Sequence, residues 1–252
     1  MPDLEWNRDM WDESYEWPQD GHEWSAQWGS SSILWHGVLA PRLGDLLPTG
    51  SIVEIAPGRG RWTSYLLDRC FDFTGYDIAE SCTSYCRENL SSVGKAVSRQ
   101  FETTDGTSLP STPALRTDLV FSFDSLVHVN KATLDAYFSE ISRVLRPGGH
   151  AFLHFSNLGD PNRGIPTKTG LRDPDVSAQW ASEAAREQGL RMLVGEKVSW
   201  AGYNALDCIG LFRKDESPPE SWQPTVFVDN DQFWSDAQGL RSTIGPHLDA
   251  LR

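Results

Sequence analysis

Four acids, two glycines and a histidine stand at positions where a chain can hold a small molecule and move a proton. In Ser51-Ile52-Val53-Glu54-Ile55-Ala56-Pro57-Gly58-Arg59-Gly60-Arg61-Trp62-Thr63 an apolar run passes through a Gly-x-Gly turn into a helix start. Gly58 and Gly60 let the backbone approach a ligand closely, and the free N–H groups of a helix N-terminus favour an anion. Asp77, in Gly75-Tyr76-Asp77, follows Gly60 by 17 residues. An acid at such a second strand end can accept both hydroxyls of a ribose. Thr103-Thr104-Asp105-Gly106-Thr107 puts another acid where the amino hydrogens of an adenine would need an acceptor. Asp124 ends a further apolar run, and His128 comes four residues later, one helical turn on. Taken singly, the glycines need only shape a turn, and Asp77 need only cap the next helix. In this order they describe a site for a ligand that carries a nucleoside. A nicotinamide dinucleotide would want a third glycine at or near Thr63, which is missing.

The elements that must position these residues are legible from residue 50 onward. Short runs rich in Val, Ile and Phe alternate with helical segments, the pattern of βαβ units and a parallel sheet. Strands are expected near 51–56, 73–77, 98–102, 118–123, 149–155, 191–200 and 205–213. Helices are expected at 61–70, 79–91, 131–145 and 177–188. The third of these is stopped by Pro147-Gly148-Gly149, and Ser177 is placed to cap the fourth. The segment from Asn157 to Asp175 carries three Pro and three Gly without periodicity, and a loop of that length in a compact domain is usually functional. Six of the eleven tryptophans fall in the first 35 residues. Trp24, Trp28 and Trp35 would share one face of a helix, either packed on the domain or forming an aromatic lid. The tail from Ser217 reads as an extended arm ending in a short helix. The organisation expected is a Trp-rich extension over 1–35, one catalytic domain over 36–215 and an arm over 216–252.

The net charge of −13, from 35 acidic against 22 basic residues, disfavours a protein that grips a phosphate backbone, because such binding rests on clustered Lys and Arg. Cys70, Cys82, Cys86 and Cys208 include no Cys-x-x-Cys pair and read as reduced thiols. Met1-Pro2-Asp3-Leu4-Glu5 lacks a basic n-region, and no stretch approaches the roughly 18 apolar residues of a membrane span. A cytoplasmic protein bound neither to membrane nor to nucleic acid is expected.

In their order along the chain, Glu54, Gly58, Gly60, Asp77, Asp105 and Pro147-Gly148-Gly149 resemble the class I S-adenosylmethionine-dependent methyltransferases over roughly residues 33–215. The resemblance implies a doubly wound α/β fold with a seven-stranded, mostly parallel Rossmann-like sheet whose last strand is antiparallel, here with an N-terminal helical extension. It also implies S-adenosylmethionine as cofactor, held across the first four strand ends by Glu54, Gly58, Gly60, Thr63, Asp77, Ile78, Asp105, Gly106 and Phe123. A narrower resemblance rests on Trp6-Asn7-Arg8-Asp9-Met10-Trp11, on Phe121-Ser122-Phe123-Asp124-Ser125-Leu126-Val127-His128-Val129 and on His154-Phe155-Ser156-Asn157-Leu158. These are similar to bacterial sugar and polysaccharide O-methyltransferases, whose acceptors include the 1-hydroxyl of a methylated mannoside. Arg59 stands where that subgroup carries an aromatic residue.

In the sheet order that the family implies, His154 and Asn157 lie beside Asp124 and His128. Three readings of this cluster stand open. His128 is a general base for a hydroxyl, its ordinary pKa being near neutral. Alternatively Asp124, with His154 or a later acid such as Asp207, holds a Mg²⁺ ion that acidifies the hydroxyl. In the third reading the histidines only support the strand ends. The function expected is methyl transfer to a hydroxyl of a small sugar or an oligosaccharide, with a homodimer also open. The alternatives are a small acid or amine as acceptor, or a cofactor-binding protein that transfers nothing.

Overall fold

The computed structural model describes residues 3–163, 171–200 and 202–243. Its centre is one sheet in the order β3-β2-β1-β4-β5-β7-β6-β8. The strands are β1 Ser51–Ile55, β2 Asp72–Asp77, β3 Ser98–Thr103, β4 Thr117–Ser122, β5 Leu145–Ser156, β6 Leu190–Trp200, β7 Tyr203–Lys214 and β8 Val226–Asn230. β1 to β5 run parallel, and β7 pairs antiparallel with both β5 and β6. The chain reverses its direction of winding between β1 and β4, which opens the crevice where α/β sheets bind ligands.

Period-two alternation sorts the strand residues onto two faces. Ile52, Phe121, Phe152 and Ile209 face the N-terminal helical layer and join the cluster that holds Trp28 and Trp35. Val53, Val120, Leu153 and Cys208 face the helices Lys131–Val144 and Ala178–Glu187. The sheet is therefore covered on both sides, as parallel strands require. The Ser177 side chain accepts the Trp180 N–H and caps the second of these helices, as its position implies.

Four expectations are corrected. The sheet has eight strands, not seven, because the tail adds β8 in parallel beside β6. Gly195 makes room for it: a Cβ there would stand 2.8 Å from the Phe227 ring. The helix Lys131–Val144 ends before Pro147-Gly148-Gly149, and those residues begin β5 at an irregularity in its register with β4. A Cβ on Gly149 would meet the Arg146 and Thr117 carbonyls at 2.9 and 3.0 Å. Trp24, Trp28 and Trp35 do not share a helix face. A 3-10 helix at His22–Trp28 stops at Gly29, whose φ is 101°, and a new helix starts from the Ser30 cap. Asn157 is buried and ties backbone together, accepting the Ala178 N–H and donating to the Ala205 carbonyl. Residues 164–170 of the expected functional loop, and residues 244–252 of the tail, lie outside the described residues.

Candidate functional site

β1 ends in a turn that the sequence can make only with small residues. Gly58 has φ 57°, and a Cβ there would meet the Trp17 ring at 2.9 Å. Gly60, at φ 86°, turns instead toward Cys86 and Leu90, so its close approach serves helix packing. Beneath the turn, Glu54 is buried and its Oε2 accepts the Thr63 hydroxyl at 2.6 Å. This pins the helix start to the strand end, and burial pushes the Glu54 carboxyl up to about 8.

Asp77, at the end of β2, is buried beside the turn. Its Oδ2 accepts the Gly58 N–H and its Oδ1 the Ala79 N–H, each at 2.9 Å. Burial outweighs these bonds and raises its pKa to about 6. Gly106 has φ 84°, and Ile78 and Leu4 approach it so closely that a Cβ would stand 2.7 and 2.9 Å from them. Asp105 faces solvent, and its Oδ1 accepts the N–H groups of Thr107 and Ser108. Its slight burial would raise the pKa, but these bonds win and hold it below the ordinary value.

At the end of β4, Phe123 stacks on His154 with centroids 4.6 Å apart. Asp124 has a left-handed φ of 67°, a conformation that costs a non-glycine residue on the order of 1–3 kcal/mol. Two bonds fix it there. Its N–H donates to His154 Nδ1 at 3.1 Å, and its Oδ2 pairs with Arg61 Nη2 at 2.8 Å. Because His154 Nδ1 accepts, its proton sits on Nε2, 3.6 Å from Asp207 Oδ2. Asp207 in turn takes the Arg172 fork at 2.7 and 2.8 Å. Burial alone would raise Asp207; the guanidinium holds it below the usual carboxylate range.

His128 closes the row. Its Nδ1 lies 3.0 Å from the Leu171 carbonyl oxygen. A carbonyl only accepts, so Nδ1 carries the proton and Nε2 keeps a lone pair. Burial, seconded by the Arg172 charge, lowers its pKa and keeps the ring neutral.

These strand ends open on a cavity of about 730 Å³, inside the range of roughly 300–1,000 Å³ typical of small-molecule sites. Gly58, Asp77, Ile78, Gly106, Phe123, Asp124 and His128 all line it. Glu54, Gly60, Thr63, Asp105, His154 and Asp207 do not; they stand behind or beside the wall. The opposite wall comes from the N-terminal extension. Trp11, Tyr15, Trp17 and Trp24 pack ring against ring with centroids 5.2–6.1 Å apart, and the Trp11 ring lies 5.6 Å from that of His128.

The divalent ion expected at Asp124, His154 and Asp207 does not fit this donor set. Each carboxylate is already neutralised by an arginine, and two guanidinium groups repel a dication. Among the described residues no group of three or more His, Cys, Asp or Glu side chains is placed to hold a metal. Sequence reasoning missed Arg61 and Arg172, which line the cavity, and Glu23, whose Oε1 accepts the Tyr15 hydroxyl at 2.7 Å. Arg61 follows the Gly-x-Gly turn directly, and that proximity is the one signal that pointed to any of them.

Residues 52–149 match a family model described as a methyltransferase domain. No curated protein matches the chain in sequence. Among solved structures, an S-adenosylmethionine-dependent methyltransferase from Mesorhizobium loti is 17% identical, with 72% of this chain and 97% of that one covered at a TM-score of 0.53. A putative S-adenosylmethionine-dependent methyltransferase from Listeria monocytogenes is 11% identical over 74% of this chain and 100% of that one, at 0.57. A putative sarcosine dimethylglycine methyltransferase from Galdieria sulphuraria is 15% identical over 74% and 85%, also at 0.57. These likenesses are of fold. Among the described residues no helix is long and apolar enough to cross a membrane.

Proposed function

We propose that this protein is an S-adenosylmethionine-dependent methyltransferase that acts on a hydroxyl of a sugar or oligosaccharide, with His128 as general base. One observation carries the reading: His128 Nδ1 is committed to the Leu171 carbonyl, so a neutral ring offers its Nε2 lone pair at the wall of the cavity. A hydroxyl is a poor nucleophile until its proton is taken, whereas a carboxylate or a neutral amine needs no such base. S-adenosylmethionine supplies an electrophilic methyl group on a sulfonium, which departs as a neutral thioether.

The rest of the wall fits the same reading. Asp77 uses one lone-pair direction on each oxygen for Gly58 and Ala79, which leaves a direction on each for a ribose hydroxyl. Ile78 and Gly106 form an apolar, closely packed rim suited to a flat base. Trp11, Trp24 and Trp200 line the cavity, and an indole ring is a surface on which the C–H face of a pyranose packs while its hydroxyls stay free. Asp124 is held by Arg61 and orients rather than abstracts. In-line transfer then asks mainly that the hydroxyl be held near the methyl group with water excluded.

Transfer of labelled methyl from the cofactor to fractionated cell glycans, run beside a panel of small acids and amines, tests this. Label in an alkali-stable sugar methyl ether is the expected result. Label confined to an ester or an amine overturns it.

A further inference from the structure

His128 stands on neither a strand nor a long helix. It ends the three-residue 3-10 turn Leu126–His128, and Val129 beyond it is already extended. A turn that short holds itself weakly, and its last carbonyls find no partner within it. The bond from Nδ1 to the Leu171 carbonyl fixes the tautomer, but Leu171 is itself 44% exposed. A ring that must present one lone pair to a cavity needs a firmer hold.

That hold comes from the other end of the chain. Asn7 and Trp11 stand four apart along the helix Leu4–Arg8 and the π-helix Asp9–Ser14 that continues it, a spacing at which side chains meet. The Trp11 Nε1–H donates to Asn7 Oδ1 at 3.0 Å. Asn7 Nδ2 donates to the Asp3 carbonyl at 2.8 Å and to the His128 carbonyl at 2.9 Å. Carbonyls only accept and an indole N–H only donates, so the amide can stand only one way round. Asn7 is buried, where an apolar side chain would pack at less cost. What the amide adds is direction: one hydrogen goes to the backbone of His128, and the oxygen goes to the indole whose ring lies 5.6 Å from the imidazole. Trp11 is fixed in turn by the rings of Trp6, Tyr15, Trp17 and Trp24, at 5.7–6.3 Å. Asp12 ties the same π-helix to the domain, its Oδ1 accepting the Ser81 N–H at 2.7 Å.

We propose that Asn7 and Trp11 are positioning residues for His128. Asn7 holds the backbone from which the imidazole projects, and Trp11 bounds the ring on one side, so that Nε2 stays turned to the cavity. The inference rests on the reading of His128 as base, and adds to it that the N-terminal extension is part of the catalytic machinery.

Two variants test it. Asn7→Asp keeps the shape of the side chain and removes its NH₂ group; Trp11→Phe keeps a ring and removes the indole donor. Histidine-ring NMR reads the imidazole without any acceptor: the chain has six histidines, and the His128 signals are those that His128→Gln lacks. In wild type they should be shifted by the neighbouring indole and show the proton on Nδ1. In Asn7→Asp the shift should shrink and the tautomers mix, and Trp11→Phe should move the signals the same way. Labelled methyl transfer to the glycan fraction that wild type methylates should fall about ten- to hundredfold in Asn7→Asp, since displacing a reacting group by about 1 Å can cost on the order of a hundredfold. S-adenosylhomocysteine binding should stay unchanged. In the His128→Gln background the same substitution should cost no further transfer, because a residue that acts through His128 then has nothing left to position. Equal losses in the two backgrounds, or His128 signals unmoved in both variants, overturn the inference and leave the base reading standing. Transfer at the wild-type rate in His128→Gln overturns the base reading and the inference together.

Discussion

Asp77→Asn changes charge and almost nothing of shape, so it isolates what that carboxylate contributes. In the free protein its two oxygens accept the Gly58 and Ala79 N–H groups at 2.9 Å. The proposed reading gives their remaining lone pairs to the ribose hydroxyls. An asparagine turns one of those oxygens into an NH₂ donor, which faces a backbone N–H on one side. A hydrogen bond to a charged acceptor is worth about 1.5–3 kcal/mol, so the Kd for S-adenosylhomocysteine should rise about ten- to hundredfold near neutral pH. Wild-type binding should also depend on pH. Burial places Asp77 at about 6; one unit below that, roughly a tenth of the molecules carry the competent ionised form, and apparent affinity falls about tenfold. Titration calorimetry at intervals from about pH 5 to 8 measures both effects. The reasoning is refuted if wild-type affinity is flat across that window, or if the asparagine variant keeps the wild-type slope.

The remaining predictions concern proton transfer and stability. His128→Gln should lower kcat by about 10²–10⁴-fold, the usual contribution of a positioned base, while S-adenosylhomocysteine binding by calorimetry stays within about twofold. Because burial lowers the His128 pKa, the acidic limb of the wild-type pH–rate profile should fall below the ordinary histidine value, about 6.5. Glu54 titrates at about 8 when folded, against 4.5 ordinarily. The native state therefore binds this proton more tightly than the unfolded chain. The stability it confers is fully present below the ordinary value and is lost as pH rises through 8, at up to about 1.4 kcal/mol per pH unit. Glu54→Gln should flatten that slope in urea denaturation run above the Asp77 transition, and a slope identical to wild type would refute the assignment.

The sheet was legible because its residues obey two periodicities at once. Ile52, Phe121 and Phe152 on one face and Val53, Val120 and Leu153 on the other announce strands covered on both sides. Gly58 and Asp77 were legible because a strand end, a glycine turn and an acid form an ordered pattern within one βαβ unit. What stayed hidden depends on facing, which no local pattern records. His154 looked like a cleft residue because it ends a strand. It shares the face of Phe152, and its ring packs behind Phe123 and Trp200 without lining the cavity. Arg61 lies in the turn before the helix Thr63–Leu67 and Arg172 in a segment without periodicity, so only the folded chain brings them onto Asp124 and Asp207. β8 escaped because its pairing partner, β6, becomes available only after Gly195 leaves space for Phe227.

Those two arginines also divide the labour at the strand ends. The Asp207 carboxylate, held below the usual range by the Arg172 guanidinium, is a poor proton acceptor. Asp124 Oδ2 is committed to Arg61, and His154 is turned behind the wall with its Nδ1 lone pair spent on the Asp124 N–H. In the proposed reading His128 is then left as the side chain of that cluster whose lone pair is free and whose conjugate acid strands no partner. The arginines also set the local charge apart from the chain's −13. In the proposed reading a cation such as the sulfonium meets at Asp124 a carboxylate that Arg61 already compensates, so it is held there by shape. When the methyl group leaves, the neutral thioether loses nothing at that wall. Little of the binding energy then opposes the transfer itself.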